Sequence, residues 1–183
     1  MKRWAALAVL LLPLPCLAEA PLVQPARDVD VTYKVPVAGG ADMAILQRLR
    51  FSAALHRQRV DLPTSGNWMM LDFQSRRMAM VRDESREIVD LPAPDASTQP
   101  GAGAAFARLG PASVAGLDLC TEWRTRDTRG QETVACYTAD GVLLRARNES
   151  AVLMEAVDVK YATQGAEVFA LPEGYSHQKP AAP

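Results

Sequence analysis

Between Asp28 and Leu91, apolar residues return at every second position, in short runs separated by turn residues at close, regular intervals. That pattern constrains the fold more than any other feature of the chain. Asp28 to Val35, DVDVTYKV, places Val29, Val31, Tyr33 and Val35 on one face, as a half-buried strand requires. Pro36 ends it, and Val37 to Asp42 with Gly39-Gly40 reads as a loop. Leu49, Phe51, Ala53 and Leu55 then share a face, while Val60 and Leu62 fall on the opposite parity. One extra residue reverses the faces of a strand, so two strands are expected with a turn or bulge near His56.

Three further short strands are expected, at Trp68 to Phe73, Met78 to Arg82 and Glu87 to Leu91. The turns between them are Gln74-Ser75-Arg76 and Asp83-Glu84-Ser85. Pro92 to Gly103 reads as a long loop, and Ala104 to Leu109 as one or two helical turns closed by Gly110-Pro111.

Gly116 to Arg147 reads as three more strands. Cys120 and Cys136 bracket the first turn, and Asp140-Gly141 makes the second. Antiparallel pairing about Thr128 would set Cys120 opposite Cys136, Glu122 opposite Val134 and Arg124 opposite Glu132. Directly opposed residues lie close enough for a disulfide. Two free thiols or a metal pair are the alternatives, but the spacing fits no zinc pattern. Met154 to Tyr161 is the last clear strand, with Ala156 and Val157 breaking its alternation. Strands dominate and helices are few. The expected fold is mainly β, a strongly curved antiparallel sheet or half-barrel with little helix, because a sheet of about ten strands must curl or be capped.

The N-terminus reads as a secretory signal. Lys2 and Arg3 precede an apolar run from Ala5 to Leu12 that is too short to span a bilayer. Cleavage after Ala18 is preferred to cleavage after Ala20, which would leave Pro21 next to the cut. The divisions are residues 1–18 as signal, 19–27 as lead-in, 28–175 as one β-rich domain and 176–183 as a flexible tail. Cys16 leaves with the signal, so the three cysteines become one pair. An exported chain with one pair is expected to form the Cys120–Cys136 disulfide in the periplasm or outside the cell. Loss of Lys2 and Arg3 takes the formal net charge from −1 to −3, which suits neither a nucleic-acid surface nor a polybasic membrane patch. No second long apolar run suggests a membrane span.

Residues of catalytic type form no constellation. His56 and His177 are the two histidines, without a cysteine or carboxylate at ligand spacing, so neither a metal nor another cofactor is expected. No serine sits in a nucleophile elbow, and Gly101-Ala102-Gly103 follows no strand. The methionines say more. Met69, Leu71 and Phe73 share a face, and a hairpin about Ser75-Arg76 would bring Met78 and Met80 beside them. Methionine is flexible and polarizable, so such a wall suits varied apolar ligands; an ordinary core reads the same way. Trp68 and Trp123 read as structural aromatics. Arg76, Arg77, Arg82 and Arg86 read as a solvated edge.

In the order VTYKV, LRFSAALHRQRVDLP, WMMLDFQSRRMAMV, VAGLDLCTEW…VACYTADGVLLRA and FALPEGY, the chain resembles a secreted bacterial family of unknown function. Its layout from Asp28 to Tyr175 is similar to that of the lipoprotein-carrier (LolA/LolB-like) group. That resemblance implies an unclosed barrel whose concave face holds acyl chains under short helices. The sequence shows no N-terminal amphipathic helix and little helical lid material, and no functional residue carries over. The expected function is a non-enzymatic protein binding an apolar ligand, a lipid or a lipidated protein. The alternatives are a structural or envelope-stress interaction module with a closed core, and a hydrolase.

Overall fold

The structure is a computed structural model, and it describes residues 20–37, 43–63, 66–92, 105–114, 116–117, 119–126 and 130–179. The expected signal segment and most of the loop expected at Pro92 to Gly103 lie outside the described residues. Six strands follow the N-terminal lead-in: β1 (Val29–Pro36), β2 (Ala44–Ser52), β3 (Arg57–Asp61), β4 (Trp68–Asp72), β5 (Arg77–Arg82) and β6 (Glu87–Leu91). Five more are β7 (Ala107–Ser113), β8 (Leu119–Arg126), β9 (Glu132–Tyr137), β10 (Leu143–Arg147) and β11 (Val152–Lys160). A 3-10 turn at Ala166–Phe169 and β12 (Ser176–Gln178) complete the described chain.

Both runs are antiparallel meanders, and β1 pairs with β11 to join them into one sheet. Its twelve strands run in the order β12-β6-β5-β4-β3-β2-β1-β11-β10-β9-β8-β7. The edges β12 and β7 do not pair with each other, so the sheet stays open.

The short hairpins share one turn design. Residues 53–56, 73–76 and 83–86 are four-residue turns, and the last residue of each is left-handed: His56 at φ 47°, Arg76 at 54° and Arg86 at 54°. Such a residue after a tight turn restores strand twist in a short hairpin. The first turn accounts for the change of parity near His56, since Leu49 and Val60 end as direct cross-strand partners. The broken alternation at Val157 is a bulge opposite the Thr32–Tyr33 step of β1.

Three expectations are corrected. Residues 107–109 are strand, not helix, because β7 finds a ladder of partners along β8. The tail does not begin after Tyr175: Ser176–Gln178 pairs in parallel with β6 and satisfies that strand's outer edge. The β8–β9 hairpin is centred two residues' worth of pairing away from the Thr128 register. Glu122 faces Cys136, Arg124 faces Val134 and Arg126 faces Glu132. A shift of two preserves which face each side chain occupies. Arg124 still reaches Glu132 at 3.2 Å, and Cys120 and Cys136 are diagonal neighbours joined by a disulfide at a Cα–Cα distance of 5.5 Å.

Three apolar clusters result, one of them Trp123, Ala135 and Tyr137 of β8 and β9. Val29, Val31, Tyr33, Phe51, Cys136 and Leu144 belong to the larger core. On the other face of β4–β6, Trp68, Met70, Ala79, Val81 and Ile88 are covered by Leu171 and Tyr175 of the C-terminal segment. Arg59 fixes that cover: its guanidinium lies 3.9 Å from the centre of the Trp68 ring and donates to the Val168 carbonyl at 3.1 Å.

Candidate functional site

A row of cross-strand partners crosses the sheet from β1 to β6: Val31, Leu49, Val60, Met69, Met80 and Val89. Direct partners point to one side of a sheet. This row therefore makes one apolar face, and Leu71 and Met78 form a parallel pair beside it. Above its β1–β4 part lies a cavity of about 450 Å³. Val31, Leu49, Val60, Leu71 and Phe73 form its floor, and Tyr137, Leu143 and Met154 form the far wall.

That lining requires curvature. From β4, which carries Leu71, to β9, which carries Tyr137, the sheet order counts six strand spacings. In a flat sheet they would lie ~29 Å apart. Both line one small cavity, so the sheet wraps around it and the apolar row lies on the concave face.

The lead-in closes one part of the wall with Val23, Gln24 and Pro25. It is fastened to the β9–β10 turn: the Ala26 N–H donates to the Asp140 carbonyl at 2.8 Å, and Arg27 donates to the Asp140 carboxylate. Arg27 also stacks on Tyr161 at 3.4 Å. Gly141 makes this approach possible. Its φ is 87°, and a Cβ there would overlap the Gln24 carbonyl. Burial alone would raise the Asp140 pKa, but its bonds from Thr138 and Arg27 outweigh that, and its carboxyl is held below the usual range.

Two phenols belong to the wall. Tyr33 is buried and donates to the Leu143 carbonyl at 2.8 Å. Burial raises its pKa well beyond the ordinary tyrosine value, with the neighbouring Tyr137 adding to the effect. Burial pushes the Tyr137 phenol up to about 12. Both are therefore neutral at physiological pH.

Of the five residues expected to form an apolar face, Leu71 and Phe73 line the cavity. Met69 of β4 and Met78 and Met80 of β5 are half-buried on the same face but outside the lining. The sequence reading missed the lead-in, Tyr137, Leu143 and Met154, which come from the distant half of the meander. Tyr33 was on the right face of its strand. Elsewhere, His56 is an exposed turn residue, and His177 lies in β12 with Nδ1 3.7 Å from Asp90. Arg76, Arg77, Arg82 and Arg86 are exposed, as expected, but β5 is an inner strand of the sheet and not its edge, and Arg77 reaches Asp90 and Arg82 reaches Glu87 across β5–β6. Among the described residues no group of three His, Cys, Asp or Glu could hold a metal, and no helix is long and apolar enough to cross a membrane.

No protein-family model and no curated protein matches the chain. Among solved structures it is similar to the crystal structure of an uncharacterized conserved protein from Thermus thermophilus. That likeness has a TM-score of 0.61 at 14% identity, covering 84% of this chain and 91% of the other. At this identity the likeness concerns the fold alone.

Proposed function

We propose that this is an exported, non-enzymatic protein that binds an apolar ligand, a lipid or the acyl part of a lipidated protein, on the concave face of its sheet. The observation that carries the reading is the 450 Å³ cavity on that face. Its size lies within the usual range for small-molecule sites, and its lining is apolar with a few polar groups, as such sites are. The signal-like N-terminus and the Cys120–Cys136 disulfide support an oxidising compartment, the periplasm or the exterior. In this reading the chain is a distant counterpart of the lipoprotein-carrier group.

A second reading, a structural module whose apolar stripe is only packing, draws on Met69, Met78 and Met80 lying outside the cavity. Native mass spectrometry of the exported protein separates the two. The ligand reading expects an extractable adduct, uptake of an apolar dye after extraction, and several-fold weaker uptake by Leu71→Gln. Bare protein that takes up no dye would leave the structural reading.

A further inference from the structure

The polar groups of the cavity narrow its ligand. The described lining contains three glutamines, Gln24, Gln47 and Gln58, and two tyrosines, but no Asp, Glu, Lys, Arg or His. Strand alternation causes this. In β2, Gln47, Leu49 and Phe51 alternate with Arg48 and Arg50; in β3, Gln58 and Val60 alternate with Arg57, Arg59 and Asp61. All four arginines therefore lie on the opposite face. There they pair with aspartates: Arg48 with Asp30, Arg50 and Arg59 with Asp61, and Arg57 with Asp72. Two strands rich in cations present the cavity with amides alone.

Those amides have no partner among the described residues. Gln24, Gln47 and Gln58 are half-buried, and none makes a side-chain hydrogen bond to another described residue. Gln47 sits opposite Tyr33, and Gln58 lies between Phe51 and Leu71. Each amide offers a carbonyl acceptor and two N–H donors. A bare hydrocarbon would bury them without partners, which is costly. A carboxylate, phosphate or ammonium group would enter without a counter-charge, which is costlier still.

We propose that the ligand is an uncharged amphiphile: one aliphatic body joined to a neutral hydrogen-bonding group, such as an ester, amide or hydroxyl, that meets Gln47 and Gln58. This rests on the reading of the cavity as an apolar-ligand site. A cavity of about 450 Å³ lies towards the lower part of the range for small-molecule sites.

The test uses probes of equal chain length on the extracted exported protein. They are 1-decanoylglycerol, decanoate and decyltrimethylammonium, titrated calorimetrically at about pH 8, well above the ordinary carboxylate range. The neutral probe is expected to bind at least roughly tenfold more tightly than either ion. In Gln47→Leu and Gln58→Leu, both expected to keep their melting temperature, its affinity should fall by about two- to tenfold, the value of one or so net hydrogen bonds. Equal or tighter binding of decanoate or the ammonium probe would overturn the inference while leaving the apolar site standing. So would an undiminished affinity for the neutral probe in both variants. Binding of none of the three would remove the site reading and the inference with it.

Discussion

At the scale of single residues, β2 and β3 sort charge from apolarity one position at a time. The result is a charged outer ladder whose members hold one another. Asp72 is its most buried anion, 8% exposed, and it accepts from the Ser75 N–H at 2.8 Å and from Arg57 at 2.9 Å. Burial pulls its pKa upward, but these two donors outweigh burial and hold the carboxyl below its ordinary value. The unfolded chain therefore takes up this proton first as pH falls. Stability from Asp72 is full above the ordinary carboxylate range and is lost on acidification through its depressed pKa. Asp72→Ala should cost about 1–3 kcal/mol at neutral pH, the range for orphaned partly buried partners. Its melting temperature should also depend less on pH below about 4 than that of wild type. Parallel melts across that range check both. The alternation behind this ladder was legible in the sequence. The face of Met69, Leu71 and Phe73 at β4 was singled out too, and Leu71 and Phe73 line the cavity. How far along that face the cavity extends was not legible, because the wall opposite comes from β9 to β11.

At the scale of elements, the meander and its turns follow from residues a few positions apart, and they were readable. Register and edge pairing depend on more distant partners, and they were not. A hairpin centred on Thr128 looked natural, but the ladder sets Cys136 against Glu122, with the disulfide made on the diagonal. The 107–109 segment has helix-compatible residues, yet a free β8 edge outweighs local propensity. Ser176–Gln178 has no strand signature at all; the β6 edge supplies its order. The cross-link closes a loop with a sequence separation of 16, so the double change Cys120→Ser, Cys136→Ser should lose about 3 kcal/mol. The expected drop in melting temperature is several degrees. Thiol labelling of denatured, unreduced protein should find neither cysteine free; labelling of both would refute the bond.

At the scale of the whole molecule, the sheet has apolar side chains on both faces of β4–β6 and closes neither edge onto the other. The C-terminal segment covers Trp68 and Ile88 outside, and the lead-in straps across to Gly141 inside. The concave face is left with a cavity between its two meanders. A segment read only as a lead-in gave no sign of this, since its partners lie more than a hundred residues on. In the proposed function this cavity, and not the outer layer, receives the apolar ligand. Methyl-labelled methionines report on it directly by NMR. Met154 lines the cavity, whereas Met70 is packed beneath the C-terminal segment on the opposite face. Titration with 1-decanoylglycerol should move the Met154 methyl resonance saturably and leave that of Met70 in place. A Met154 signal unmoved at saturating probe, or a shift confined to Met70, would contradict the account.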